Sequence, residues 1–250
     1  MPSAADRPAT VPAAARRLAL VVPMKDEAAG LPALGVALAA LRQELADLVA
    51  LEFVFVDDGS TDDTWSLLHD QFGTWPDVQF VRHRTNQGIA ASIATGLQAT
   101  DAEWAASIDA DLSYDPRELR TMLAQREGAD LVTASPYHPS GGVAGVPRWR
   151  LALSRTLSLA YRCLLRAPIH TWTSCFRLYR RAAVVDLPLA TPGFLGTAEL
   201  LVRVLRRGGR VREHPCVLGV RRFGQSKMKI VRTILGHLRL LAAVALRRVK

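Results

Sequence analysis

The residues best suited to chemistry are Asp109 and Asp111 in the run Ser107-Ile108-Asp109-Ala110-Asp111-Leu112-Ser113. Trp104 to Ile108 reads as a short buried strand, and Pro116 leaves no room for a helix in between, so the two carboxylates stand where a strand runs out. In an open α/β sheet ligands gather at the carboxyl ends of the strands, and paired carboxylates there suit a hard divalent cation that also holds phosphate oxygens. Taken alone, an Asp-x-Asp is more often a strand-to-turn junction, in which Asp111 caps a helix starting at Asp115-Pro116. Context has to choose between these. A second acidic cluster, Asp57-Asp58-Gly59-Ser60-Thr61-Asp62-Asp63-Thr64, follows the apolar run Glu52 to Val56. Gly59 permits a tight turn there, and Ser60 with Asp63 resembles a helix N-cap.

The elements that must position these groups alternate. Leu18 to Val22 is a β run stopping at Pro23, after which Leu31, Leu34, Leu38, Leu41, Leu45 and Leu48 recur at helical spacing. A helix carrying Trp65, Leu67 and Leu68 follows the second strand, and Val78 to Val81 forms a third. Asn86-Gln87-Gly88 then opens a helix of small residues, Ala90, Ala91, Ala94 and Gly96, whose side chains would let it approach the sheet or a ligand closely. The central strand, a helix from Pro116 to about Arg126 and a strand over Asp130 to Ala134 complete a Rossmann-like unit. No Gly-x-Gly-x-x-Gly follows the first strand, where Pro23-Met24-Lys25-Asp26-Glu27 stands instead, which counts against a nicotinamide cofactor.

Charge divides the chain. Through Pro147 there are 10 Lys and Arg against 20 Asp and Glu, and from Arg148 onward 22 against 3, within a total of +9. An acidic half suits a metal site, while a basic half invites phosphates or an anionic membrane surface. Nucleic acid is disfavoured, because the basic residues alternate with aliphatics more than with stacking aromatics and the acidic half would repel a long polyanion. Cys163, Cys175 and Cys216 lie far apart without a Cys-x-x-Cys, and read as buried small hydrophobes in a reducing compartment. Residues 1–16 are taken as a flexible tail, and Leu18 to Val22 as a strand in place of a signal peptide.

In the basic half, Arg148, Arg155, Arg162 and Arg166 mark one stripe of an otherwise apolar helix, and a C-terminal helix repeats the design with Lys229, Arg232, Arg239 and Lys250. No run reaches the roughly 20 apolar residues that cross a bilayer. Each helix reads either as packed on the protein's own core or as lying on a membrane surface. Two of them in the basic half favour the membrane. The expected organisation is a tail over 1–16, a nucleotide-sugar half over 17–138, an acceptor-binding half of the same domain over 139–227 and a membrane-surface helix over 228–250.

Three stretches, Asp57 to Asp62 after a strand, Asn86 to Gly88 before a small-residue helix, and Asp109 to Ser113, together resemble the inverting family-2 glycosyltransferases of GT-A fold. Further stretches resemble the dolichol- or polyprenol-phosphate mannosyltransferase branch: Ser135-Pro136-Tyr137 with Gly141-Gly142, Arg150 with Ser154, Thr173 to Arg177, Gly193-Phe194-Leu195 with Glu199, and Arg221 to Lys227. The resemblance spans Leu18 to Lys227. It implies a mainly parallel sheet flanked by helices and a nucleotide-sugar pocket drawn from Pro23, Lys25, Glu27, Val56, Asp57, Asp58, Asp109, Ala110 and Arg150. It implies also a divalent metal, Mg²⁺ or Mn²⁺, on Asp109 and Asp111, with Ser113 where close relatives often carry Gln. Pro136 replaces an Arg frequent in the family, Cys175 a Gly, and Thr171 or His170 an Asp.

The chemistry this implies is transfer of a hexose, mannose from GDP-mannose first, onto a polyprenyl phosphate on the cytoplasmic face of a membrane. Such a phosphate has a second pKa near 6 and is largely dianionic at neutral pH, so it needs no general base. It needs a cationic cradle, for which Arg177, Arg221, Lys227 and Arg150 are the candidates, with Asp111 on the metal. Only three acids follow Arg148, so these arginines have few local partners; the competing reading is that Arg177 and Arg221 pair with acids or solvate strand ends. Glu199 is expected to orient an Arg or the sugar. UDP-glucose or another donor, a glycan hydroxyl acceptor, a separate membrane subunit, and a non-catalytic nucleotide-sugar binder or membrane scaffold are left open.

Overall fold

The computed structural model describes residues 17–145, 148–189, 191, 193–220, 230–246 and 249. The chain opens with β1 (Arg17–Met24), a single 3-10 turn at Ala28–Gly30 and α1 (Leu31–Leu45). There follow β2 (Ala50–Asp57), α2 (Thr64–Phe72), β3 (Val78–Arg82), α3 (Ile89–Gln98), β4 (Trp104–Ser107), α4 (Glu118–Ala124) and β5 (Leu131–Ser135). The basic half supplies β6 (Gly142–Val143), α5 (Arg148–Leu165), β7 (Arg177–Arg180), α6 (Phe194–Arg206), β8 (Val211–Pro215), β9 (Val217–Leu218) and α7 (Ile230–Ala245). The fold is therefore a mainly parallel sheet flanked by helices, as the alternation predicts.

Seven strands pair in the order β3-β2-β1-β4-β7-β5-β8, while β6 and β9 form a separate parallel pair. Only β7 runs antiparallel, against both β4 and β5, and it welds the acidic and basic halves into one sheet. Alternation along β1 explains the layering: Leu18, Leu20 and Val22 join a core with α1, α2 and α4, whereas Ala19 faces α3, α5, α6 and α7. Small residues in α3 bring it onto the sheet, since a Cβ on Gly96 would stand 2.3 Å from Val21 Cγ1.

Several boundaries differ from expectation for identifiable reasons. Pro23 does not end β1, because it sits at the strand's last residues, in register with Val56. The helix expected from Pro116 starts at Glu118, and its N-cap is Arg117, so Asp111 does not cap it. Cys163 is exposed on α5, not buried like Cys175 and Cys216.

Both basic helices pack on the core and also present apolar side chains to solvent. Tyr161 of α5 and Leu240 and Val244 of α7 are buried, while Trp149, Leu159, Leu235 and Leu238 are exposed. No helix among the described residues is long and apolar enough to cross a membrane. α7 is fastened by a buried pair, Tyr161 Oη to His237 Nδ1 at 3.0 Å, and by Arg206 donating to the Val244 carbonyl at 2.8 Å.

Burial pushes the His237 imidazole down to about 4 and the Tyr161 phenol up, so the neutral ring accepts from the hydroxyl. An unfolded chain binds a proton at His237 below about pH 6.5 while the folded chain does not, so this contribution to stability is complete above that pH and lost as pH falls toward 4. Urea midpoints measured between these pH values should rise with pH in the wild type and rise less steeply in His237→Gln. Identical slopes would show that His237 does not titrate on unfolding.

Candidate active site

The sheet reverses its winding between β1 and β4, with β2 and β3 on one side and the later strands on the other. A cavity of about 1060 Å³ opens there, at the carboxyl ends of these strands. Its acidic end is lined by Pro23 at the end of β1, Lys25 and Glu27 after it, Asp58 after β2, and Asp109, Ala110 and Asp111 after β4. Gln87, Gly88 and Ile89 at the start of α3 form one side, and residues of α6 and α7 the other.

Asp58 is buried and its hydrogen bonds are specific. Oδ1 accepts from Gln87 N at 2.8 Å and lies 2.8 Å from His83 Nδ1, and Oδ2 accepts from Gly88 N at 2.7 Å. His83 is held on its other side by Thr95 Oγ1 at 3.0 Å. The end of β2 is thus tied to the loop before α3, where Gly88 takes φ 93°. Gly59, at φ 66°, brings the acidic turn so close to this loop that a Cβ would stand 2.9 Å from the Thr85 carbonyl carbon. Lys25 donates to the Gly59 carbonyl at 2.8 Å, and Asp26 and Glu27 donate their N–H groups to Ser60 Oγ and Thr64 Oγ1.

Val56 and Asp57, expected in the pocket, stand behind its wall. Val56 is buried in the core, and Asp57 accepts from Ser60 N at 3.0 Å and pairs with Arg82 at 2.9 Å. Ser60 accordingly does not cap α2, whose N-cap residue is Asp63.

Asp111 is buried, and the turn after it carries Leu112 through φ 54° so that Ser113 N donates back to Asp111 Oδ1 at 3.0 Å. Ser113 lines a smaller recess of about 150 Å³ that shares Asp109 and Asp111 with the main cavity and is closed by Tyr137, Thr173 and Cys175. The Cys175 thiol is pushed up, first by burial and then by the adjacent Asp109 carboxylate, so it stays protonated. Two carboxylates that no third His, Cys, Asp or Glu among the described residues joins in a group able to hold a metal, the neighbouring Cys175 being a protonated thiol, fit an ion that completes its shell with water and phosphate oxygens, as Mg²⁺ and Mn²⁺ do.

The structure corrects the place given to Arg177. It is fully buried in β7, donating to the Thr197 carbonyl at 2.6 Å, the Trp172 carbonyl at 2.8 Å and Thr133 Oγ1 at 3.3 Å. Burial lowers its pKa. It is a core arginine that binds β5, β7 and α6 together and does not line the cavity. Arg150 falls in the first turns of α5, and Arg221 and Lys227 lie outside the described residues.

Cations that the residue pattern did not single out for this site line it instead. Arg203 of α6 places Nε and Nη2 at 2.9 and 2.7 Å from Glu199 Oε1, an i to i+4 pair that helical spacing could have flagged. Glu199 also accepts from Thr191 N at 2.8 Å. Arg239, read from the sequence as part of a surface stripe, is on the cavity wall.

The Glycosyl transferase family 2 model matches residues 19–187. The chain is 33% identical over 238 residues to a polyprenol monophosphomannose synthase of Mycolicibacterium smegmatis, covering 90% of this chain and 85% of that protein. It is 27% identical to an undecaprenyl-phosphate mannosyltransferase of Micrococcus luteus, covering 85% of this chain and 87% of that protein. With a dolichol-phosphate mannosyltransferase of Pyrococcus furiosus it shares 28% identity over 75% of this chain and about half, 53%, of the other. A crystal structure of glucosyl-3-phosphoglycerate synthase from Mycobacterium tuberculosis with Mn²⁺ and UDP superposes with a TM-score of 0.67 at 21% identity, covering 94% of this chain and 81% of that one, a likeness of fold.

Replacing Arg177 by Met should strand two buried carbonyls and the Thr133 hydroxyl and cost about 2–4 kcal/mol in urea unfolding. A variant with wild-type stability and lost activity would return Arg177 to the substrate.

Proposed function

The chain belongs to glycosyltransferase family 2, and we propose that it transfers mannose from GDP-mannose to a polyprenyl phosphate, with inversion, at a membrane surface. The observation that supports this most is one cavity joining a dicarboxylate at the sheet's switch point to arginine-bearing helices of the basic half. The names of the relatives support the mannosyl group and the polyprenyl phosphate acceptor, and the GDP-linked donor is part of the proposal.

In this reading Pro23, Lys25, Glu27 and Asp58 border the nucleoside. Asp58 shapes that wall more than it charges it, because its oxygens already hold Gln87 N, Gly88 N and His83. Asp109 and Asp111 would hold the divalent ion, which when bound offsets the negative charge developing on the departing diphosphate. The start of α3 borders the same space and favours negative charge there.

The acceptor phosphate is already an anion, so an oxygen of it forms the bond to the anomeric carbon as the bond to the nucleoside diphosphate breaks, and no proton has to move. The protein's task is to hold two anions together. Arg150, Arg221 and Lys227 remain candidates for that, whereas Arg177 acts from the core. Glu199 keeps the Arg203 guanidinium extended along α6 toward the cavity. Exposed Trp149, Leu159, Leu235 and Leu238 on α5 and α7 supply apolar contact for a membrane surface next to a basic chain half. The cytoplasmic face and a separate membrane subunit belong to the same proposal.

Purified protein with Mg²⁺ or Mn²⁺, labelled GDP-mannose and polyprenyl phosphate in detergent should send label into the organic phase. The transfer should stop with EDTA and fall about a hundredfold or more in Asp111→Asn. Label from UDP-glucose in place of GDP-mannose would change the donor alone. Metal-dependent nucleotide binding with no transfer from any donor would sink the reading in favour of a binding protein.

A further inference from the structure

We propose that Arg239 on α7 binds the phosphate head of the lipid acceptor, with Leu195, Leu240 and Ala243 beneath its first isoprene unit, an inference that rests on the transfer reading above.

Most of the cavity's cations are already engaged by the chain itself. Among the described residues those on its wall are Lys25, Arg203 and Arg239. Lys25 donates to the Gly59 carbonyl and lies 3.5 Å from Asp26 Oδ2. Arg203 is held by Glu199. Arg239 is exposed, and no carboxylate among the described residues pairs with it. The shortage of acids explains why: Asp186, Glu199 and Glu213 are the three after Arg148, and Glu213 is occupied by Ser135, His170 and Thr171. An arginine on the wall of a cavity that also holds Asp109 and Asp111, and paired with no carboxylate of the described residues, suits a phosphate oxygen.

The surroundings of Arg239 choose the kind of phosphate. Thr233, Gly236, Leu240 and Ala243 recur on the cavity side of α7, and Phe194 and Leu195 face them from α6. On this side Phe194, Leu195, Leu240 and Ala243 form an apolar strip beside the Glu199–Arg203 pair, and the side formed by β1, β2 and β4 is lined mainly by polar and charged groups. A nucleoside diphosphate matches the polar end, while a phosphate bearing a hydrocarbon tail matches an arginine beside an apolar strip. The strip is held close, since a Cβ on Gly236 would stand 2.7 Å from Leu195 Cδ2. The platform is also firm. His237 on Tyr161, buried Leu240 and Val244, and Arg206 on the Val244 carbonyl fix α7 to α5 and α6.

The test measures apparent KM for polyprenyl phosphate and for GDP-mannose separately, with equilibrium binding of polyprenyl phosphate in detergent micelles as a readout independent of turnover. Arg239→Gln should raise the lipid KM at least about tenfold and weaken lipid binding to match, with the GDP-mannose KM within about twofold of wild type. Arg239→Lys should recover part of the loss, and Ala243→Phe, which fills the strip, should raise the lipid KM and leave the GDP-mannose KM in place. Thermal melts identify any variant that fails to fold. A lipid KM and lipid binding unchanged in Arg239→Gln overturn the proposal while leaving the transfer reading intact. A rise in the GDP-mannose KM alone overturns it in favour of the nucleotide's diphosphate. A wild type that transfers nothing to polyprenyl phosphate defeats the transfer reading and this inference with it.

Discussion

A buried carboxylate must find hydrogen-bond donors or lose its charge, and at the end of β2 that requirement fixes the geometry of the whole donor side. Asp58 meets it with two backbone N–H groups and a histidine from the segment between β3 and α3. Loop and strand end are thereby locked together. Gly59 and Gly88 are needed because the two backbones approach within contact distance and turn through left-handed conformations. With that lock in place β1, β2 and β4 deliver Lys25, Asp58, Asp109 and Asp111 to one opening.

The second constraint is electrostatic. A site that holds a cation by carboxylates and also receives phosphates needs opposite charges near each other yet kept from cancelling. The chain separates them along its length, acidic before Arg148 and basic after it, and the fold then sets them face to face. The reversed strand β7 performs the joining, and its buried Arg177 ties neighbouring elements through carbonyl oxygens. Cations nearer the cavity come from α6 and α7.

Much of this was legible in the residues. Alternating strand and helix patterns predict the parallel sheet, and the Asp109–Asp111 pair, Asp58 and the run through Gly88 all reach the expected opening. Other features were hidden because they depend on partners distant in sequence. Arg177 looked like a phosphate ligand because few acids lie near it, and backbone carbonyls satisfy it instead. His83 carries no motif, and its place between Asp58 and Thr95 follows only from the folded β3. Arg239 belonged to a stripe whose spacing is the same whether the helix meets lipid, core or cavity. Val56 and Asp57 stood beside Asp58 in sequence, but strand alternation and a tight turn send them into the core and to Arg82.

The position of β7 also governs how the molecule must be assembled. It pairs Ser107 with Arg177 and Thr133 with Arg177, so β4 and β5 have no common neighbour until a segment made much later arrives between them. A chain that has formed β1 to β5 alone leaves the β7-facing edge of β4 and both edges of β5 unpaired, each an invitation to pair with another molecule. Long-range closure of this kind slows folding and lengthens the exposure of such edges. Aggregation during synthesis or refolding, more than loss of the finished fold, is therefore the hazard that a weakened β7 would bring.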